Sequence, residues 1–287
     1  MKIKVSFFDK SLWKRYFSIL SVVSVILSFV FIGIDIPDEN KITAIVILFL
    51  ILIIIYLIMW AQANRSSDVT LNINNSSVRI KVGDIFEEQE NKEGDDADEP
   101  PLKVISFNEY FDTLVDDRII SKRTLNGRYI NERITNLQEF DHSLELELAE
   151  KVMESNDNRK RGKKKKYKLG TIFQHGHYLL TAFSKFDDNN RAYLRMNDYI
   201  NFLINFWNEI DIVYGGRTVV IPLLGSRMTR FKGYDMVSEQ ELLELLIWSF
   251  KVSRIKFKYP AHVRIVIHKS SKDKINFYKL RSVEDGL

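Results

Sequence analysis

Cysteine is absent from all 287 residues. That excludes a disulfide framework, a thiolate zinc site and a cysteine nucleophile, and it is compatible with a reducing compartment. A second absence is more informative. Residues 16–34 and 42–60 each run for 19 positions without Asp, Glu, Lys, Arg or His. At 1.5 Å per residue, such a helix reaches roughly 28 Å, close to the hydrocarbon thickness of a bilayer. Two buried core helices are the alternative, but soluble core helices rarely run this long without a polar face. A cleavable signal peptide fits the basic start, yet no small-residue cleavage site follows and the second apolar run comes at once. Ion pathways and proton relays use ionisable groups inside the membrane. Without them the two spans read as an anchor, or as a pore assembled from several hairpins.

The net charge of +4 is modest, and its placement matters more than its size. Lys2, Lys4, Lys10, Lys14 and Arg15 precede the first span and Arg65 follows the second, whereas the connecting residues 35–41 carry Asp35, Asp38 and Glu39 against Lys41. Seven connecting residues force a helical hairpin. By the positive-inside rule its loop lies outside and both termini lie in the cytoplasm. The expected organisation is therefore a transmembrane hairpin over 1–64, in the inner (plasma) membrane, followed by a cytoplasmic domain over 65–287.

The cytoplasmic part changes periodicity. Residues 69–73 and 78–82 read as short strands around Asn74-Asn75-Ser76-Ser77. A very acidic stretch, 87–99, reads as a solvated insertion ended by Pro100-Pro101, and strand character returns at 102–107. Helices are expected over 131–140 and 143–153, strands over 178–186 and 218–223, and an amphipathic helix over 196–211. Ser238 and Glu241 form a capping box ahead of another helix. Closing strands are expected at 262–268 and 275–280. Alternation of strands and helices points to an α/β sheet with helices on its faces.

Several stretches carry chemistry. In an α/β sheet, ligands bind beyond the carboxyl ends of strands. The run VVIPLLGSRMTRF, residues 219–231, passes from buried strand into glycine, hydroxyls and arginines. Consecutive amides with a glycine can form an anion-binding nest, and arginine pairs with phosphate bidentately. An ordinary turn with exposed arginines is the competing reading. Gly83-Asp84-Ile85 follows a strand, where Asp84 either accepts a hydrogen bond from a ligand amino group or caps its own turn. Asn108, Glu109, Asp112, Asp116 and Asp117 cluster after another strand and are open to metal or acid/base work, although no histidine is close in sequence. His175 and His177 flank Gly176 as a metal pair or an exposed turn. RKRGKKKKYK, residues 159–168, holds eight basic residues in ten. It reads as a solvated loop, or as a patch for anionic lipid ahead of nucleic acid.

Together these pieces resemble a macro domain. VRIKVGDIF, residues 78–86, resembles that family's early strand ending in G-D-I, and the resemblance places Asp84, beside Ile85, against an adenine. It places Gly225, Ser226, Arg227, Met228, Thr229 and Arg230 around a diphosphate, with Leu224 and Phe231 among the other ligand-binding residues. Asn108 falls where the family's N-A-A-N segment meets the distal ribose, and TLNGRYI, with Asn126 and Gly127, is nearest to the first phosphate loop. N-A-A-N itself is missing, so the resemblance implies a reader rather than a hydrolase, with no catalytic residue, metal or cofactor.

Over nearly its whole length, in FNEYFDTLVDDRIIS and LLTAFSKFDDNNRAYL as well as IPLLGSRMTRF, the chain is similar to the membrane-anchored macro-domain effectors of type II Thoeris antiphage systems. This likeness implies a macro-like mixed sheet flanked by helices behind the hairpin. It implies a ligand of the ADP-ribose type, a histidine conjugate, made from NAD by a partner TIR-domain enzyme. It also implies a homo-oligomer that damages the bilayer on activation and kills the infected cell. The alternatives are a membrane-tethered ADP-ribosyl hydrolase and a basic-patch lipid or nucleic-acid binder, with nucleic acid disfavoured.

Overall fold

Long apolar helices and a mixed sheet occupy separate parts of the chain. The computed structural model describes residues 3–33, 38–88, 99–187, 189–226, 229–233 and 237–286, with backbone alone at 30–33, 38–39 and 282–286. Arg227, Met228 and Asp35 therefore lie outside the described residues, as do 89–98 of the acidic stretch. Contacts divide the chain into two units, 1–67 with 276–282 and 68–275 with 283–287.

The first unit is built on α1 (Lys10–Gly33) and α2 (Asp38–Arg65). Both are long and apolar enough to cross a membrane by length and composition. Val25 and Phe29 on α1, and Ile45, Phe49 and Ile54 on α2, are exposed. Packing concentrates at one end, where Val5, Leu12, Tyr16, Tyr56 and Ala63 form a cluster with Trp13 and Trp60 against it. Polar bonds clip the N-terminal segment to α2. Asn64 Oδ1 accepts from the Lys4 and Val5 amides at 2.7 and 3.0 Å, and Trp60 Nε1 donates to the Val5 carbonyl at 3.0 Å. Tyr56 donates its hydroxyl to the Phe7 carbonyl.

The second unit begins with β1 (Asp68–Ile73) and β2 (Ser76–Val82), an antiparallel hairpin. Its two-residue turn needs positive φ twice, and Asn74 and Asn75 adopt 55° and 60°. Next come β3 (Leu102–Asn108), α3 (Leu125–Arg133), α4 (Leu137–Glu147), β4 (Val152–Ser155), β5 (Lys165–Tyr167), β6 (Ile172–His175) and β7 (Tyr178–Phe186). The chain continues through β8 (Ala192–Leu194), α5 (Met196–Val213), β9 (Val219–Pro222), β10 (Arg230–Phe231), α6 (Glu239–Ser253) and β11 (Val263–Ile267) to α7 (Phe277–Gly286).

Nine strands form one mixed sheet in the order β1-β2-β11-β9-β3-β7-β8-β10, with β6 also pairing β7, and β4 with β5 forms a separate ribbon. The run from β2 through β11, β9 and β3 to β7 is parallel throughout. Strands covered on both faces need apolar side chains on both. Every residue of β9 and β11 is accordingly buried, including Arg264, whose guanidinium reaches Glu88 at 3.1 Å.

Three expectations are corrected. The helices expected at 131–140 and 143–153 begin about six residues earlier. Thr124 and Asn136 cap α3 and α4 by accepting from the Gly127 and Glu139 amides, so the caps rather than the apolar spacing set the boundaries. Residues 152–155 then form a strand. The closing strand expected over 275–280 is helical instead: Asn276 Oδ1 accepts from the Lys279 amide at 3.1 Å, and Phe277 and Leu280 are buried three residues apart.

Candidate ligand cavity

Five parallel strands end along one edge of the sheet, and a cavity of about 650 Å³ opens there. Gly83, Asp84 and Ile85 enter its wall from the end of β2, Asn108 from β3, Ser184 and Phe186 from β7, Leu224 and Gly225 after β9, and His268 after β11. The start of α3 closes another side with Thr124, Leu125 and Asn126. A helix N-terminus offers unpaired amides and a positive dipole end, which suits an anion.

Asp84 plays the turn-capping part, with its Oδ1 accepting from the Phe86 amide at 3.0 Å. Its Oδ2 accepts from Arg128 Nη1 at 2.8 Å. Burial raises the carboxyl pKa, but these two hydrogen bonds outweigh it and hold Asp84 below its ordinary value. Arg128 in turn lies 4.5 Å over the Phe86 ring. The carboxylate therefore reaches the cavity already oriented.

The loop after β9 is shaped from below. Gly225 adopts φ +87°, and a Cβ there would stand 3.1 Å from the Phe231 ring. Ser226 donates its hydroxyl to the Leu223 carbonyl at 2.9 Å, which leaves its oxygen as an acceptor. Tyr199 donates to the Leu224 carbonyl at 3.2 Å, and its ring meets Phe231 edge-on at 5.5 Å. Ser226, Thr229 and Arg230 line the cavity, whereas Phe231 is buried beneath the loop. Gly127 is likewise absent from the wall. A Cβ on it would collide with the Ser121 carbonyl at 2.2 Å, so it packs α3 against the preceding loop.

Asn108 lines the cavity but spends most of its side chain on its own loop. Its Oδ1 accepts from the Tyr110 and Asp112 amides at 3.0 and 3.3 Å, and its Nδ2 donates to Asp112 Oδ2 at 2.9 Å. The carboxylates near it are scattered. Asp112 is fully buried, Asp116 caps the Arg118 and Ile119 amides, and Asp117 alone of the four lines the cavity. Glu109 accepts from the Phe186 amide at 3.2 Å, and burial pushes its carboxyl above the ordinary value. Among the described residues no group of three or more His, Asp and Glu could hold a metal ion. His175 Nδ1 is bonded to the Tyr129 hydroxyl at 2.7 Å, and His177 Nδ1 to Arg217 at 3.0 Å.

The basic run is largely neutralised within the chain. Arg159, Arg161, Lys163, Lys164, Lys165 and Lys166 each stand within 4.0 Å of a carboxylate. Sequence reasoning missed Arg118, Arg123 and Arg191, which line the cavity with exposed side chains and make its rim basic. Arg118 and Arg191 fall within the stretches FNEYFDTLVDDRIIS and LLTAFSKFDDNNRAYL, and Arg123 in the polar loop following β3, but no motif singles out the arginines themselves.

The sequence model for the macro domain of the Thoeris protein ThsA matches residues 78–268. The chain is 38% identical over 286 residues to a Thoeris protein ThsA of Bacillus amyloliquefaciens (strain Y2), covering 99% of this chain and 93% of that one. Among solved structures, an Oceanobacillus iheyensis macrodomain with ADP is similar at 12% identity and a TM-score of 0.48, over 77% of this chain and 98% of that chain. A mutant of that macrodomain with ADPR gives 13% identity and a TM-score of 0.46, over 76% of this chain and 96% of that chain.

Proposed function

The chain belongs to the Thoeris ThsA macro-domain family, and from that premise we propose that it is an antiphage effector whose cavity senses an ADP-ribose-type nucleotide. The signal in this reading is histidine-ADP-ribose, made by a partner TIR-domain enzyme. One observation carries the proposal: the first turn of α3 and the Gly225 loop both border a cavity of about 650 Å³ at the carboxyl ends of parallel strands. That volume falls in the range of ordinary small-molecule sites. The diphosphate lies between the α3 amides and residues 225–230, with Arg227 as a further contact. Asp84 takes the adenine amino group. Asn108, with most of its amide committed to its own loop, offers the distal ribose at most one remaining N–H.

In the same reading α1 and α2 cross the inner membrane as a hairpin with both chain termini in the cytoplasm. Their exposed apolar side chains support this, as do Trp13, Tyr16 and Trp60 near the basic flank, since aromatic residues favour the membrane interface. A ligand shifts assembly only through differential affinity for two states. Occupied heads therefore associate, and hairpins whose spans carry no charge, packed beside one another, disrupt the bilayer.

Calorimetric titration of the detergent-solubilised full chain with ADP-ribose, its histidine conjugate and a cyclic variant tests the reading. Saturable heat is expected with at least one. Absence of heat with all three would sink the proposal. Chromatography of the same mixtures examines the alternative, a hydrolase, and intact ligand is expected.

A further inference from the structure

Arg159 belongs to the basic run, and no residue from 156 to 164 lines the cavity. Its side chain is nevertheless only 7% exposed and forks onto Asp112, Nη1 to Oδ1 at 2.9 Å and Nη2 to Oδ2 at 2.6 Å. Asp112 is completed by two more donors, the Lys163 amide at 2.7 Å and Asn108 Nδ2 at 2.9 Å. The remaining reach of Arg159 goes to Asn190 Oδ1 at 2.9 Å and the Lys163 carbonyl at 2.6 Å. Its guanidinium stacks 3.9 Å over the Tyr110 ring and lies 5.7 Å from that of Phe186. Asn108, Phe186 and Asn190 all line the cavity. One guanidinium from outside the wall thus bonds Asn190 directly, lies beside Phe186 at the end of β7, and braces Asn108 at the end of β3 through Asp112.

A buried ion pair gains little net stability, because desolvation offsets the attraction, but it imposes one geometry. Backbone strain marks that geometry here. Phe111, the residue before Asp112, holds a positive φ of 49°. A bulky residue keeps such a conformation only where its surroundings over-determine it.

We propose that Arg159 is the positioning residue of the cavity and that its loop, 156–164, is linked to occupancy. A ligand pressed against Asn108, Phe186 and Asn190 tightens the Asp112–Arg159 fork and, through the Lys163 amide, the loop behind it. By reciprocity, loosening the loop weakens the ligand by the same factor. This rests on the nucleotide reading of the cavity.

Hydrogen exchange of the full chain in detergent, with and without saturating ADP-ribose, tests the linkage. The Lys163 and Arg159 amides are expected to exchange about fivefold more slowly with ligand, although neither residue touches the cavity. Arg159→Lys keeps the charge and loses the planar fork, so ADP-ribose should bind about tenfold more weakly. Ser249→Ala provides the structural control. It removes the 2.8 Å bond from Trp207 Nε1, and neither residue lines the cavity. It should lower the melting temperature without changing affinity. Wild-type affinity in Arg159→Lys overturns the inference, as does unchanged exchange at saturation. If Arg159→Lys does not fold, the wild-type exchange decides alone. A wild-type chain that binds no ADP-ribose removes both this inference and the nucleotide reading, whereas binding without protection removes this inference only.

Discussion

The Tyr199 hydroxyl donates to the Leu224 carbonyl across 3.2 Å, tying the buried face of α5 to the loop that follows β9. It also reaches the Leu242 carbonyl at 3.4 Å. Complete burial pushes the hydroxyl pKa far above the usual tyrosine range, so it stays a donor throughout the working pH range. Tyr199→Phe leaves both carbonyls without this partner. A loss of about 1 kcal/mol in stability is expected, with several-fold weaker ligand binding as the loop loosens. Denaturant melts and calorimetry read the two effects separately.

Gly225→Ala should be harsher. At φ +87° an L-residue is strained by about 1–2 kcal/mol, and the new methyl meets the Phe231 ring. Lower melting temperature and lost nucleotide binding are expected together. An unchanged melt would show that the backbone there is not held as described.

Asp84 supplies a pH signature. Its folded-state pKa lies below the ordinary 3.8, because the Arg128 and Phe86 hydrogen bonds outweigh burial. A lowered value means that ionised Asp84 stabilises the fold above about pH 3.8 and that this contribution fades as pH falls through the folded-state value. Asp84→Asn should therefore flatten the acid limb of a stability profile measured from about pH 7 to about pH 2. An unaltered limb would refute the role given to the Arg128 pairing.

Lys160, Lys164 and Lys168 test the basic-patch alternative. Their joint replacement by Gln leaves Arg159 in place and should change neither nucleotide affinity nor dye leakage from liposomes. Loss of leakage with intact nucleotide binding would favour a lipid-binding patch.

The hairpin reading is tested by Ile51→Lys. Ile51 is half exposed near the middle of α2. A lysine at the centre of a span costs about 2.5–3.5 kcal/mol for insertion. The variant should shift into the alkaline-extractable fraction, and full retention in the membrane would count against a spanning α2.

Much of the architecture was legible because local chemistry dictates it. Two charge-free runs can only be long apolar helices, Asn74-Asn75 can turn a tight hairpin, and a fully apolar VVIP must be covered on both faces. The Gly83-Asp84 and Gly225-Ser226 stretches were legible for the same reason, since a glycine or turn former after a strand leaves few alternatives. What Asn108, Phe231 and Gly127 do was not. Their roles depend on partners remote in sequence or on backbone paths that composition does not reveal: Phe231 packs beneath Gly225, and Gly127 fits against the Ser121 carbonyl. Arg159 is the sharpest case. In sequence it is one of eight basic residues in a run that reads as solvated. Tertiary folding brings Asp112 to it from 47 positions away and removes both from water. A buried charge must find its opposite, and which opposite it finds is a property of the fold, because sheet topology alone decides which loops meet at the cavity.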